Sequence, residues 1–311
     1  MLYQITEFRY ITFFFIYSFL GWIFESVYVS IKSGRWINRG FLKGPVLPIY
    51  GSGAVMMLVV SEPFSDNLIL TYLAGVVGAT LLELISGMAI EAIFKVRYWD
   101  YSYQKINYKG YICLSSSIAW GFFTIGMTRW LHPAVILLVS MVPHEAGDIL
   151  FAAVAILFDV DLVVSVREAT DLRNLLIHME SVRHEMQLLK KRADVIMAVM
   201  DDDLKEMKTH SAAAFHLGDL RSALEFQFEH MKERIPLLKE IPEEQMEEFE
   251  ELQARFALIK NNIHGIIVRN SENMRKRLRA NPTMVSKKYS ISLDILRHRL
   301  KEEEKRISDR L

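Results

Sequence analysis

Long apolar stretches dominate the first half of the chain, and most are long enough to cross a bilayer as helices. A hydrocarbon core about 30 Å thick requires about 20 mostly apolar helical residues. Four stretches approach or exceed this length: Ile11–Ile31, Leu68–Phe94, Tyr111–Thr128 and Ala134–Phe158. A fifth, Gly44–Val60, is shorter and is broken by Pro45, Pro48, Gly51 and Gly53, which predicts a short span or a re-entrant segment. Broken backbone at membrane depth is tolerated only where protein or a water-filled cavity covers it.

The connections between these stretches alternate in charge. The first and third are basic, with Lys32, Arg35, Arg39 and Lys43 in one and Lys95, Arg97, Lys105 and Lys109 in the other. The second carries two acids and no base, and the fourth carries one arginine. Because basic loops stay in the cytoplasm, we expect five spans, an N-terminus outside and a cytoplasmic C-terminus.

A heptad-like pattern replaces the apolar stretches in the second half of the chain. Apolar residues alternate steps of three and four at Leu172, Leu175, Met179, Val182, Met186, Leu189, Ala193, Ile196 and Met200. Further series at 217–231, 249–266 and 293–307 predict additional helices. The sequence thus predicts an all-α fold, with a transmembrane domain at 1–165 and a cytoplasmic coiled-coil or helical-hairpin domain at 166–311. These helices could pair within one chain, form a homodimer, or dock a partner.

Charge follows the same division. Residues 1–165 contain 10 of the 37 Lys and Arg residues and 11 of the 37 Asp and Glu residues. Neither half has a large net charge, so nucleic-acid binding is not expected. The single cysteine, Cys113, excludes an intrachain disulfide and a four-cysteine zinc site.

Ionisable side chains within the predicted spans are the candidate functional residues, because such groups are costly in a membrane and usually face the bundle interior. They are Glu25, Glu83, Glu91, His144, Glu145 and Asp148. Counted from the expected outer boundaries, Glu25, Glu83 and Asp148 lie at a similar depth of roughly 21 Å at 1.5 Å per residue. We therefore expect three acids from three helices to share one layer.

No Lys or Arg lies inside a predicted span to neutralise these acids. Clustered carboxylates in a low-dielectric region cannot all stay ionised unless a cation is shared. The layer is thus expected to hold a cation, protons or an amine-bearing substrate, and His144 with Asp148, four residues apart on a helix, could chelate a metal ion. In the alternative interpretation the acids are protonated and only hydrogen-bond neighbouring helices, while Gly75, Gly78 and Gly87 allow close helix packing.

Four sequence strings carry a family resemblance. They are Gly21-Trp22 with Glu25, Arg39-Gly-Phe-Leu-Lys-Gly-Pro-Val-Leu-Pro-Ile-Tyr-Gly51, Leu82-Glu83 with Gly87 and Glu91, and Tyr98-Trp-Asp-Tyr-Ser102. Together they resemble the putative ABC-transporter type IV family, the CmpB-like permeases of Gram-positive bacteria, over roughly residues 13–123. The resemblance implies a bacterial plasma-membrane location and a permease role. Trp22 and Tyr50, which lie in these strings, join the acids as candidate pathway or ligand-binding residues.

Three functional hypotheses remain open at this stage. The first is a permease component, which would need a separate ATPase subunit because the chain has no Gly-x-x-x-x-Gly-Lys-Ser/Thr string. The second is a membrane scaffold or sensor that acts through its cytoplasmic helices. The third is a metal-dependent intramembrane enzyme, which is less favoured because His144-Glu145 is not followed by a second histidine in metalloprotease spacing. No cofactor is evident from the sequence, and a bound cation at the acidic layer is the one ligand of this kind that the sequence allows.

Overall fold

The computed structural model describes residues 2–200, 247, 250–252, 254–258 and 274–298, with backbone alone for residues 2–9, 144 and 193–200. Its named helices are α1 (Leu2–Ser33), α2 (Pro48–Ser61), α3 (Leu68–Phe94), α4 (Leu114–Gly126), α5 (His132–Ser140) and α6 (His144–Met200). A two-stranded antiparallel hairpin, β1 (Asn107–Tyr108) and β2 (Ile112–Cys113), lies between α3 and α4.

Four helical stretches of the described chain are long and apolar enough to cross a membrane. They are Tyr10–Ser33, Leu68–Phe94, Leu114–Ser140 and Glu145–Arg192. The chain is therefore a helical membrane protein. α2 has only 14 residues and is not one of these stretches, so the fifth span predicted at Gly44–Val60 is not confirmed.

The boundary between the last two predicted spans differs from the sequence prediction. A π-helical turn, Met127–Leu131, joins α4 to α5, so helix continues across the expected break near Thr128. Pro133 is tolerated at this point because the wider turn absorbs the loss of its N–H donor. The chain turns instead at residues 141–143, and α6 begins directly after Pro143.

The segment after α1 returns along the whole length of α1 as an irregular stretch followed by α2. Two glycines allow the close approach: a Cβ on Gly21 would lie 2.3 Å from Tyr50 Cβ, and one on Gly51 would lie 2.1 Å from Ser18 Oγ. Three hydrogen bonds mark the path along α1 from Ser30 to Tyr10: Ile37 N to Ser30 Oγ (2.8 Å), Leu47 N to Ser18 O (2.9 Å) and Tyr10 Oη to Glu62 Oε2 (3.4 Å).

Gly75 and Gly78 of α3 lie at helix contacts, as expected from the sequence, whereas a Cβ on Gly87 would meet Tyr111 at 3.1 Å and Trp99 at 3.3 Å, which are not helical residues. A Cβ on Gly75 would lie 2.1 Å from Thr124 Oγ1 of α4, and one on Gly78 would lie 3.0 Å from Val60 of α2. α3 therefore packs closely against both neighbours.

Internal contacts divide the chain into two compact units. The first comprises Met1–Asp171 and Arg275–Lys287, and the second comprises Leu172–Met274 and Lys288–Leu311. Residues 275–287 thus belong with the membrane helices although they are more than 100 residues further along the chain. An antiparallel bridge between Arg97 and Val285 ties them to the loop after α3.

In the second unit, the apolar seam of α6 is buried within a single chain. Leu172, Leu175 and Met186 are 1%, 4% and 1% exposed. Ser292 Oγ donates to Glu180 Oε2 at 2.9 Å, which ties the helix at residues 290–298 to α6. The predicted helical series at 217–231, 259–266 and 300–307, and the side chains of the last three seam positions of α6, lie outside the described residues. The coiled coil and the homodimer stay predictions.

Candidate functional site

Glu83, in the middle of α3, is a buried carboxylate surrounded by neutral donors. Glu83 is 7% exposed. Tyr101 Oη donates to Oε1 at 3.0 Å, while Trp120 Nε1 and Ser116 Oγ donate to Oε2 at 3.0 and 3.3 Å. Tyr101 comes from the loop after α3, and the other two donors come from α4. Among the described residues, Glu83 has no positively charged partner.

Tyr101 is held in its neutral form by this arrangement. Its burial, together with the nearby charge of Glu83 and their hydrogen bond, raises the pKa of the Tyr101 phenol. A phenol that resists ionisation remains a hydrogen-bond donor to a carboxylate.

Glu25, near the end of α1, is paired with an arginine from the following loop. Arg39 Nε lies 3.5 Å from Glu25 Oε1, and Tyr50 Oη of α2 donates to Glu25 Oε2 at 2.8 Å. The carboxylate thus connects α1 both to the irregular stretch that follows it and to α2.

Arg39 also binds the distant segment 275–287. Its Nη1 donates to Ala280 O at 3.3 Å and to Asn281 Oδ1 at 3.2 Å. Its Nη2 donates to Thr283 Oγ1 at 3.0 Å and to Tyr98 O at 3.5 Å. One guanidinium therefore joins a membrane helix, two loops and the C-terminal part of the first unit.

Glu91 is neutralised in a similar way. Arg97 Nε lies 2.6 Å from Glu91 Oε2, Tyr111 Oη donates to the same oxygen, and the guanidinium stacks over the Tyr111 ring at 4.0 Å. Arg97 is 5% exposed, so the pair is well shielded from solvent. No Lys or Arg lies inside a predicted span, as the sequence indicated, but arginines from the loops supply charge partners for Glu25 and Glu91.

Asp161 of α6 holds the irregular stretch in place. Its carboxylate accepts from the backbone N–H groups of Lys43 and Gly44 at 3.1 and 2.7 Å, and from Ser165 Oγ at 3.1 Å. These bonds satisfy backbone groups that have no helical partner, as a non-helical segment beside membrane helices requires.

Arg277 fixes the segment 275–287 from the other side. It donates to Tyr98 Oη at 2.9 Å and to Ser165 O at 2.6 Å, lies 3.7 Å from Glu168, and stacks on the Phe41 ring at 5.1 Å. Together with the Arg39 contacts, these interactions dock residues 275–287 onto the loops at one end of the membrane helices.

Asp148 does not join Glu25 and Glu83. α6 begins at His144, so Asp148 lies in its second turn, and the residue is exposed. Phe151, one turn later, stacks edge-on against Phe15 at 5.7 Å, whereas Glu25 lies ten residues beyond Phe15 on α1. The separation along α1 is therefore about 15 Å or more. The expected layer of three acids does not form. The loop before the last membrane helix falls at residues 141–143, so Asp148 lies near the start of that helix and not in its middle.

The remaining candidates lie apart from Glu83. Glu145 is exposed at the start of α6, and the side chain of His144 lies outside the described residues. Trp22 donates its Nε1 to Asn38 Oδ1 at 2.6 Å and stacks with Phe19. This arrangement fits an aromatic anchor near a membrane interface. No cluster of three or more metal-ligating side chains occurs in the described part of the chain.

Among the residues that contact the acids, Tyr50 was named from the sequence as a candidate site residue, and the others were not. Arg39, Tyr98 and Tyr101 belong to the family-like strings, and that is the signal that could have indicated them. Asp161, Arg277 and Asn281 carry no comparable signal, because they meet the site only through tertiary packing.

Comparison with known proteins agrees with the resemblance. Residues 12–166 match the family described as "Putative ABC-transporter type IV", which confirms the family predicted from the sequence strings. The match contains Glu25, Glu83 and Glu91 and ends before the segment 275–287. No curated protein and no solved structure matches the chain.

Proposed function

Residues 12–166 belong to the putative ABC-transporter type IV family, and from this premise we propose that the chain is a permease-type membrane component in which Glu83 binds and releases a proton or small cation. One observation carries the proposal. Glu83 is the buried intramembrane acid whose described partners are all neutral, whereas Glu25 and Glu91 each have an arginine.

Charge balance supports a cationic ligand at this position. A carboxylate in a low-dielectric environment needs a positive partner or a proton, because neutral donors reduce the cost of the charge without cancelling it. Its three donors come from the loop after α3 and from α4. A small relative movement of these elements would exchange neutral donors for a proton or an alkali-metal ion.

The irregular stretch between α1 and α2 would supply the route to one side of the membrane. Discontinuous segments near the midplane are where transporters place their substrates. In this proposal the stretch and α2 together make the fifth crossing, and Tyr50 with the Glu25–Arg39 pair closes its end. Breaking that pair would open the path, because Tyr50 and Arg39 share the Glu25 carboxylate.

An ATP-driven cycle would require a separate ATPase subunit, since the chain lacks a P-loop string. Residues 275–287 and the two loops they bind form the surface that such a subunit would meet. A homodimer would need a surface other than the α6 seam at Leu172, Leu175 and Met186, which is already covered within the chain.

Difference infrared spectroscopy on the full chain tests the role of Glu83 without a known substrate. We expect a carboxyl signal that changes when the buffer is made more acid or when sodium replaces a bulky cation. The signal should disappear in Glu83→Gln and remain in the matched control Glu145→Gln, whose carboxylate is exposed. A wild-type spectrum that responds to neither protons nor cations would refute the proposal.

A flux measurement provides the functional readout. Proteoliposomes with the full chain should take up protons or sodium under an imposed potential faster in Arg39→Met than in wild type, because the closing ion pair is lost. Adding Glu83→Gln to Arg39→Met should return the rate to that of empty liposomes. Equal rates in the single and double variants would place the ions elsewhere.

A scaffold or sensor role is the second candidate, and the docking of residues 275–287 favours it. The chain passes between the two units at Asp171, at Arg275 and at Lys287, so a partner bound to the helices of the second unit could act on the membrane loops through residues 275–287. In that case Glu83→Gln would leave the cellular function intact, whereas loss of residues 172–274 would abolish it.

A further inference from the structure

A cavity of about 240 Å³ opens between α1, α2, α3 and the π-helical turn. Tyr10 and Glu62 lie in its wall, so it is at the opposite end of α1 from Arg39 and the docked segment. No residue of this cavity belongs to the Glu83 site.

One wall of the cavity offers hydrogen-bond acceptors. The hydroxyl groups of Ser61, Thr71 and Thr128 each donate their proton to a backbone carbonyl, at 2.6, 2.8 and 2.9 Å. Because a hydroxyl has a single proton, only lone pairs remain for a ligand. The Glu62 carboxylate lines the same cavity. These oxygens together suit a group with several N–H donors, such as a primary ammonium.

The lining of the cavity also provides a cation. Arg129, in the π-helical turn, donates one nitrogen to Ser65 O, and the guanidinium has five N–H donors in total. Glu62 and Arg129 line the same cavity without forming an ion pair with each other in the described structure. Each instead contacts one neutral group, which leaves two opposite charges for a ligand to bridge.

The backbone at this wall is itself unusual. π-helical turns are rare and occur frequently at functional sites. Here the turn at Met127–Leu131 is followed by Pro133, which cannot donate to the preceding turn of helix. The turn therefore places Thr128 and Arg129 together in the cavity wall and leaves backbone carbonyl groups without their usual partner.

We propose that this cavity binds a small zwitterion, with its primary ammonium at Glu62 and the hydroxyl wall and its anionic oxygens at Arg129. A ligand with one charge would leave either Glu62 or Arg129 without a partner. The shared chemistry belongs both to the head group of an aminophospholipid and to a free zwitterion such as phosphoethanolamine or an amino acid. The proposal does not depend on Glu83.

Native mass spectrometry of the full chain in detergent is the first test. Phosphatidylethanolamine should bind about tenfold more tightly than phosphatidylcholine, because a quaternary ammonium cannot donate hydrogen bonds. Competition by phosphoethanolamine or glycine would identify the head-group chemistry as sufficient, while failure to compete would assign the site to the membrane lipid. Equal binding of both phospholipids with no binding of the free zwitterions would overturn the proposal.

Two variants separate the charges. Glu62→Gln and Arg129→Met should each lower the affinity about tenfold, the effect of losing one charge-assisted contact. Glu145→Gln is the matched control and should bind as wild type. Melting curves without ligand verify that the variants fold, and unchanged affinity in both folded variants would refute the site.

Discussion

Arg39 contacts α1, the loop after α3 and residues 275–287. We therefore expect its loss to lower the stability of the whole first unit. Arg39→Met would leave Glu25 without its charge partner and would remove bonds to Asn281 and Thr283. Breaking a largely buried ion pair from one side costs about 3 kcal/mol. We expect a clear fall in the melting temperature of the purified chain, measured by scanning fluorimetry in detergent.

Two further variants identify the cause of the lower melting temperature. Arg35→Met removes an exposed arginine of the same loop and should leave the melting temperature unchanged. Arg39→Met with Glu25→Gln should recover part of the loss, because no buried charge is then left unpaired. No recovery in the double variant would mean that the contacts to residues 275–287 supply the whole effect.

Tyr101 gives a pH-dependent prediction. Burial raises the pKa of its phenol, so the neutral form contributes stability that is fully present below the ordinary tyrosine pKa of about 10 and declines as the pH rises above it. Tyr101→Phe should cost about 1–3 kcal/mol at neutral pH, since Glu83 loses a donor. The gap between wild type and variant should then narrow in alkaline buffer.

Tyr103→Phe is the control for this comparison, because Tyr103 lies in the same loop and is 78% exposed. Its stability should follow wild type at every pH. A Tyr101→Phe deficit that stays constant into alkaline buffer would show that the hydroxyl is not held neutral by the site.

The sequence indicated the acids correctly as unusual but could not indicate what surrounds them. Hydropathy identifies Glu25, Glu83 and Glu91 because they interrupt apolar stretches. Their arginine partners come from loops, where charged residues are ordinary and give no signal. The conformation of the loops decides which acid has no charge partner. That conformation cannot be read from the periodicity of apolar residues along the sequence.

At the level of elements, the α3–α4 contact provides a direct test of close packing. Gly75→Ala would place a Cβ 2.1 Å from the buried Thr124 Oγ1, so the helices must separate, at a cost of about 1–3 kcal/mol for overpacking. Gly53→Ala in α2 meets nothing within 4 Å and should be neutral or stabilising by up to about 1 kcal/mol. Similar melting temperatures for the two variants would contradict the observed helix contact.

Helices could be predicted from long apolar runs. The breaks between helices were predicted less accurately. The boundaries of α3 at Leu68 and Phe94 agree with the sequence prediction. The break expected near Thr128 shifted to residues 141–143, because a π-helical turn accommodates Pro133. Prolines mark where a break is permitted, but the packing of neighbouring helices decides which permitted break occurs.

The whole molecule is organised by a chain that returns to the membrane unit. After the first unit ends at Asp171, the chain forms most of the second unit and then re-enters the first at Arg275. The family match at residues 12–166 does not include this segment. The membrane unit of this chain is therefore completed by residues that the family-matched region lacks.

The docking of residues 275–287 can be tested at the bridge between Arg97 and Val285. Arg97 N donates to Val285 O at 2.7 Å, and Val285 N donates to Arg97 O at 2.9 Å. Val285→Pro removes the second donor and disfavours the bridge, so amide hydrogens of residues 95–101 should exchange faster in hydrogen–deuterium exchange mass spectrometry. Val285→Ala keeps the donor and should exchange as wild type. Unchanged exchange in Val285→Pro would mean that the loop after α3 is ordered without residues 275–287. A partner bound to the second unit could then not act on the membrane acids through that segment.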